Sequence, residues 1–166
     1  MKNIVLIGMP AVGKSTIGVL LAKSLLLSFI DTDLLIQGKH KKSLCDIITD
    51  NGTKAFLDIE ENIILEAEFK NSVIATGGSA VFGEKAMKKL KENGVVIYLS
   101  LPMEKIKKRI GDIKSRGVVL TNGTTVDDIF AERKPLYEKY ADIKIDCDNL
   151  TAEECVEKII ANLQSL

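Results

Sequence analysis

Residues 8–15 read GMPAVGKS, which fits the pattern G-x-x-x-x-G-K-[ST], and they directly follow the apolar run NIVLI. The residues after them, TIGVLLAKSL, carry apolar side chains at helical spacing. A buried strand, a glycine-rich bend and a helix in this order form the context in which the pattern has a mechanism. The glycines let the backbone turn its N–H groups inward. Those of Gly8, Ala11, Val12, Gly13 and Thr16, together with the helix N-terminus, would hold phosphate oxygens. Lys14 would bridge the outer phosphates, and the Ser15 hydroxyl would ligate Mg²⁺. A chance glycine loop is the bland alternative, and the surrounding strand, helix and GKST argue against it. The stretch therefore reads as a P-loop that binds a nucleotide, with ATP and Mg²⁺ as the implied ligands.

Apolar runs alternate with amphipathic stretches through the rest of the chain. FIDTD reads as a short second strand, SVIAT as a third that ends at Gly77-Gly78, VVIYLSL as a fourth and DIKIDC as a fifth. SLCDIITDNG, TKAFLDIEENIILEAEF, EKAMKKLKENG, PMEKIKKRI, TVDDIFAERKPLYEKYA and TAEECVEKIIANL read as helices. Gly94 is expected to stop the third of these and Pro102 to open the fourth. Pro135 should break the fifth late, and Thr151 should cap the last. Short strands without alternation, joined through helices, predict an α/β fold: a parallel sheet covered on both faces, in three layers. A length of 166 residues predicts one domain over 1–166. The segment GDIKSRGVVLTNGTT, about 111–125, is rich in Gly, Ser, Thr and Asn and reads as a lid loop.

A P-loop does not say what accepts the phosphate. Asp31 and Asp33 follow the second strand, and ligands of parallel sheets bind beyond the carboxyl ends of the strands. Two acids there suit Mg²⁺ organisation and contact with an attacking hydroxyl, although a D-x-D turn on the surface has the same sequence. Gly77 and Gly78 would let a ligand approach the backbone closely, where a plain turn is the alternative. Arg109, Arg116 and Arg133 offer planar forks for carboxylate or phosphate. Arg116 lies inside the lid segment, from which a closing loop would bring its charge onto a transferring phosphate.

Composition removes several classes. Lys plus Arg and Asp plus Glu both number 23, so nothing favours nucleic acid or a basic membrane surface. The three cysteines, Cys45, Cys147 and Cys155, have no metal spacing and read as thiols of a reducing compartment. The lone His40, in GKHKKS, reads as a solvated surface group. No run approaches the roughly 18–20 apolar residues of a membrane span, and IVLIG is too short for a signal-peptide core. A cytoplasmic monomer is expected.

Over nearly its full length the chain resembles the shikimate kinase family. GMPAVGKSTIGVLLAKSL resembles the family's P-loop and first helix, FIDTD its F-x-D-x-D, and ATGGS its A-T-G-G-G. DIITDNGTKAFLDIEE resembles I-x-x-I-F-x-x-x-G-E-x-x-F-R-x-x-E, SRGVVL the R-P-L-L lid, and ERKPLYEKYAD the R-x-P-L-Y-x-x-x-A-D segment. The resemblance implies a five-stranded parallel sheet like that of nucleoside monophosphate kinases. It also implies transfer of the ATP γ-phosphate to the 3-hydroxyl of shikimate. Lys14 and Arg116 would stabilise the phosphoryl group, and Ser15 and Asp31 would hold Mg²⁺. Asp33 would take or orient the hydroxyl proton, and Arg109 would pack on adenine. Gly77, Gly78 and Arg133 would bind shikimate, Arg133 on its carboxylate.

The departures gather on the acceptor and lid side. The family's second carboxylate-binding arginine is Leu57 here, the glutamate of its G-E is Thr53, the third glycine is Ser79 and the lid proline is Gly117. Only Ala11, where many kinases of this type carry glycine, lies in the nucleotide half. Losing one partner of a buried charged pair costs roughly 2–5 kcal/mol, on the order of thirtyfold to several-thousandfold in acceptor affinity. Lys54, three residues before Leu57, is a candidate replacement cation. Two other readings stay open: phosphorylation of a different hydroxylated metabolite, such as a sugar acid or a nucleoside monophosphate, and a non-catalytic nucleotide-binding module.

Overall fold

The computed structural model describes residues 2–111 and 124–165. Five strands, β1 (Asn3–Ile7), β2 (Ser28–Asp31), β3 (Ser72–Ala75), β4 (Gly94–Ser100) and β5 (Ile143–Asp146), form one sheet in the order β2-β3-β1-β4-β5. Every neighbouring pair is parallel. All residues of β1 and β3 are buried, which is why their sequences show no alternation.

The helices among the described residues are α1 (Lys14–Leu25), α2 (Thr32–His40), α3 (Leu44–Glu66), α4 (Glu84–Glu92), α5 (Met103–Gly111), α6 (Val126–Tyr140) and α7 (Ala152–Leu163). Right-handed crossovers set their faces. The chain runs from β1 to β2 in one direction across the sheet, then from β2 through β3 and β4 to β5 in the other. Thus α1 lies on one face with α7 packed beside it, and α3, α4 and α6 cover the opposite face. β1 and β3 are neighbours whose outgoing connections leave toward opposite faces. This opens a crevice at their carboxyl ends, the ligand-binding position of such sheets. Across it, Thr76 donates from its backbone N–H and its hydroxyl to the Leu6 carbonyl, and Gly77 N–H donates to Thr32 Oγ1 at 3.1 Å. The ends of three strands are stitched together there.

Several local expectations need correction. Gly94 does not stop a helix. α4 ends at Glu92, and Gly94 opens β4, where a Cβ would lie 3.0 Å from the Asn3 carbonyl oxygen. Pro135 does not break α6, which continues to Tyr140; the helix keeps packing beyond the missing N–H through Tyr137, stacked on Tyr98 at 5.2 Å. α2 had no helical signal beyond its cap, Asp31, whose carboxylate accepts from Asp33 N–H. A 3₁₀ turn forms at Ala80–Phe82, with no signal in the sequence. The two helical segments read from SLCDIITDNG and TKAFLDIEENIILEAEF meet in α3 at Gly52, whose φ of 83° breaks the helical path. His40 is exposed and the three thiols are free, Cys147 and Cys155 being buried. No helix of the described residues is long and apolar enough to cross a membrane. Most of the expected lid, with Arg116 and Gly117, lies outside the described residues.

Thr151 caps α7 in a full capping box with Glu154. Thr151→Ala should cost about 1 kcal/mol and lower the melting temperature by roughly 2–4 °C, measured by thermal unfolding.

Candidate active site

Gly8 leaves β1 at a φ of 147°, and a Cβ on it would stand 2.5 Å from the Leu99 carbonyl oxygen. Gly13, at φ 107°, caps α1 and turns the chain into it. Between them Ala11 holds a left-handed φ of 66°. That conformation costs a residue with a Cβ roughly 1–2 kcal/mol, so this small side chain is accommodated at a price. Lys14 is 8% exposed, and its ammonium donates to the carbonyls of Gly8 at 2.7 Å and Met9 at 2.9 Å. Burial pulls its pKa down to about 8, against the pull of the Asp33, Asp31 and Glu60 carboxylates. Val12 is buried, while Ser15 and Thr16 are exposed at the start of α1.

Ser15 Oγ donates to Asp31 Oδ2 at 2.6 Å. A hydroxyl and a carboxylate oxygen in contact beside a phosphate-binding loop match the sparse donor set of Mg²⁺, which draws its remaining ligands from phosphates and water. Asp33, in the first turn of α2, is raised to about 6, chiefly by burial and then by Asp31, with Lys14 opposing.

The acceptor side is built by three segments. Gly77 sits beneath two carboxylates: a Cβ there would collide with Glu60 Oε1 and lie 2.7 Å from Asp33 Oδ1. At Gly78 a Cβ would lie 2.8 Å from the Pro10 ring and 3.0 Å from Arg133 Nη1. Arg133 spans the pocket from α6, its guanidinium over the Phe82 ring and its Nε buried without a hydrogen-bond partner. Tyr137, one turn on, donates from its hydroxyl to the Gly78 carbonyl at 2.6 Å and so fixes the glycine turn. Glu60 is 1% exposed; Ser79 Oγ donates to its Oε2 at 2.5 Å, and its Oε1 has no partner. Burial, opposed by the Ser79 hydrogen bond, pushes Glu60 up to about 7. Leu57 and Thr53 are half-buried on α3, whereas Lys54 is exposed.

On the other side of the P-loop, Arg109 Nη1 donates to the carbonyls of Ala11 at 3.2 Å and Val12 at 3.3 Å. It borders a recess of about 210 Å³ with Thr16, Cys147, Leu150 and Cys155. A guanidinium beside a partly apolar recess suits a flat nucleobase. The Cys147 thiol is pushed up to about 12 by burial and by Cys155, so it acts there as an apolar surface.

The sequence pattern of shikimate kinases matches residues 10–164. The chain belongs to the shikimate kinase family. A shikimate kinase of Thermodesulfovibrio yellowstonii is 38% identical over 169 residues, covering 100% of this chain and 97% of that protein. One from Clostridium botulinum (strain Eklund 17B) is 43% identical, covering 98% of this chain and 99% of that protein. The solved shikimate kinase of Acinetobacter baumannii in complex with shikimate superposes with a TM-score of 0.92 at 30% identity, covering 99% of this chain and 94% of that one. The chain is thus an ATP-dependent kinase with the family's five-stranded parallel fold.

Within that shikimate kinase framework, the crevice gathers Lys14, Ser15, Asp31, Asp33, Gly77, Gly78 and Arg133. Arg109 stands on the far side of the P-loop, and Arg116 lies outside the described residues. Glu60, Tyr137 and the recess residues Cys147 and Leu150 were not singled out from the sequence. Glu60 and Tyr137 did lie within the quoted motifs, the one closing F-R-x-x-E and the other in R-x-P-L-Y. Gly77→Ala should raise the acceptor KM strongly and cost roughly 1–3 kcal/mol in stability by overpacking. Steady-state kinetics alongside thermal unfolding checks both.

Proposed function

We propose that this chain transfers the γ-phosphate of ATP to the 3-hydroxyl of shikimate. The observation that supports it most is the charge cluster of buried Lys14 and Glu60 with half-buried Asp33 and Arg133, which joins a P-loop to a pocket bordered by a guanidinium. That pocket suits a small, polyhydroxylated acid.

In this reading the acceptor carboxylate pairs with Arg133, and its ring lies against the bare backbone of Gly77 and Gly78. Asp33 orients the 3-hydroxyl and takes its proton as the oxygen bonds to the γ-phosphorus and the bond to the ADP oxygen breaks. A carboxyl near pKa 6 is ionised at neutral pH yet basic enough to share that proton. Lys14, and Arg116 from the lid at about 111–125, stabilise the charge on the moving phosphoryl oxygens. Ser15 and Asp31 would hold Mg²⁺, which would supply positive charge against the nucleotide phosphates. Arg109 packs on the base, and the backbone of residues 8–16 carries the phosphates. A cytoplasmic monomer belongs to the same reading.

ADP release should rise strongly when millimolar shikimate is added to the enzyme with Mg-ATP. Turnover with a sugar acid but not with shikimate would replace the acceptor in this proposal, a result that Leu57 in the clamp position makes worth seeking. Lys14→Ala should abolish turnover, and near-normal activity in that variant would overturn the assignment of the P-loop lysine. Leu57→Arg should lower the shikimate KM by about tenfold or more, with the ATP KM unchanged. An unchanged or higher KM would mean that the acceptor carboxylate does not lie near position 57.

A further inference from the structure

We propose that Ser79 is a positioning residue of the acceptor site. Its hydroxyl fixes one oxygen of Glu60 so that the other faces the pocket floor at Gly77, and Glu60 in turn holds the Arg133 head group by charge. This inference rests on the shikimate-kinase reading for its kinetic consequence, but not for its geometry.

The argument begins with a buried carboxyl. Glu60 is 1% exposed on α3, and such a group is destabilising unless donors reach it. The charged and titratable groups facing it are Lys14 from α1, Asp33 from α2, and Arg133 and Tyr137 from α6. Asp33 repels it; Lys14 and Arg133 attract it. Yet Lys14 spends hydrogen bonds on the Gly8 and Met9 carbonyls, and Glu60 Oε1 has no partner. Among the described residues, the side-chain hydrogen bond to this carboxyl comes from Ser79, at 2.5 Å. With Oε2 tethered, Oε1 is left above Gly77, where a Cβ would strike it.

Two departures noted in the sequence thereby become one. Position 57 lies three residues before Glu60 on the same helix, close enough for a side chain there to reach it. Leucine at 57 supplies no donor. Ser79, from the turn after β3, supplies one from the other side. A hydroxyl is neutral, so it orders Glu60 without supplying the charge of a guanidinium. Burial holds Glu60 near 7, and the Ser79 hydrogen bond works against a further rise. Below that pH the carboxyl is neutral and its hold on Arg133 is lost; above it the hold is complete.

The test is the shikimate KM as a function of pH in wild type, Ser79→Ala and Ser79→Thr, with the ATP KM as control. Ser79→Ala should raise the shikimate KM about fivefold near neutral pH, the size of one hydrogen bond. It should leave the ATP KM alone and move the acidic rise in shikimate KM to higher pH. Ser79→Thr, which keeps the hydroxyl, should restore both. In a Leu57→Arg background the same Ser79→Ala change should have little effect, because the guanidinium takes over. An unmoved pH profile, or equal loss toward both substrates, would overturn the proposal. A ¹³C NMR titration of the Glu60 carboxyl in wild type and Ser79→Ala keeps it independent of the acceptor. If wild type shows no shikimate-dependent turnover, the functional reading falls, and an upward shift of the Glu60 pKa in Ser79→Ala still supports the positioning role. Identical titrations would refute it.

Discussion

The crevice depends on one buried ammonium. Lys14 sits where water barely reaches, in contact with two carbonyls of its own loop and among the carboxylates of Asp31, Asp33 and Glu60. A cation there is tolerable only because those oxygens surround it, and the three acids are tolerable together largely because the cation lies between them. Arg133 supplies the second positive charge on the acceptor side. Removing one member of such a group strands the others. The groups proposed for phosphoryl transfer and those proposed to hold the acceptor are therefore one electrostatic unit, not two adjacent sites.

The nucleotide half was legible because it is contiguous. Strand, glycines, lysine and helix lie within a single stretch, and each local preference agrees with the loop that forms. The layered sheet was legible for a similar reason: buried parallel strands write themselves as short apolar runs. Glu60 and Ser79 were harder. They meet across α3 and the turn after β3, nineteen residues apart, and nothing in either local sequence announces the partner. The same holds for α2, whose cap, Asp31, was read only as a site acid; it is both. Pro135 and Gly94 misled because punctuation residues act through their surroundings. A well-packed face carries α6 past a proline, and a crowded strand start demands a glycine that looks like a helix stop.

The acceptor side shows how a substitution in a packed site changes meaning once its neighbours are visible. Leu57 alone reads as a missing fork, and Ser79 alone reads as a lost glycine. Both bear on Glu60: position 57 lies three residues before it on α3, and Ser79 donates a short hydrogen bond to its carboxyl. Lys54, which sequence spacing offered as a replacement, is exposed on α3.

Asp31 carries a last consequence. One of its oxygens closes the first turn of α2, through Asp33 N–H, and the other holds the Ser15 hydroxyl of the P-loop. The same first turn presents Thr32 to Gly77 N–H. Whatever draws on the Ser15 side of this carboxylate therefore also strains or relieves the turn that carries Asp33 and anchors the glycine floor. The two halves of the crevice share a hinge pin, and by reciprocity a ligand that tightens one side must be tightened by the other to the same degree. In such a molecule whichever substrate arrives first alters the place of the second.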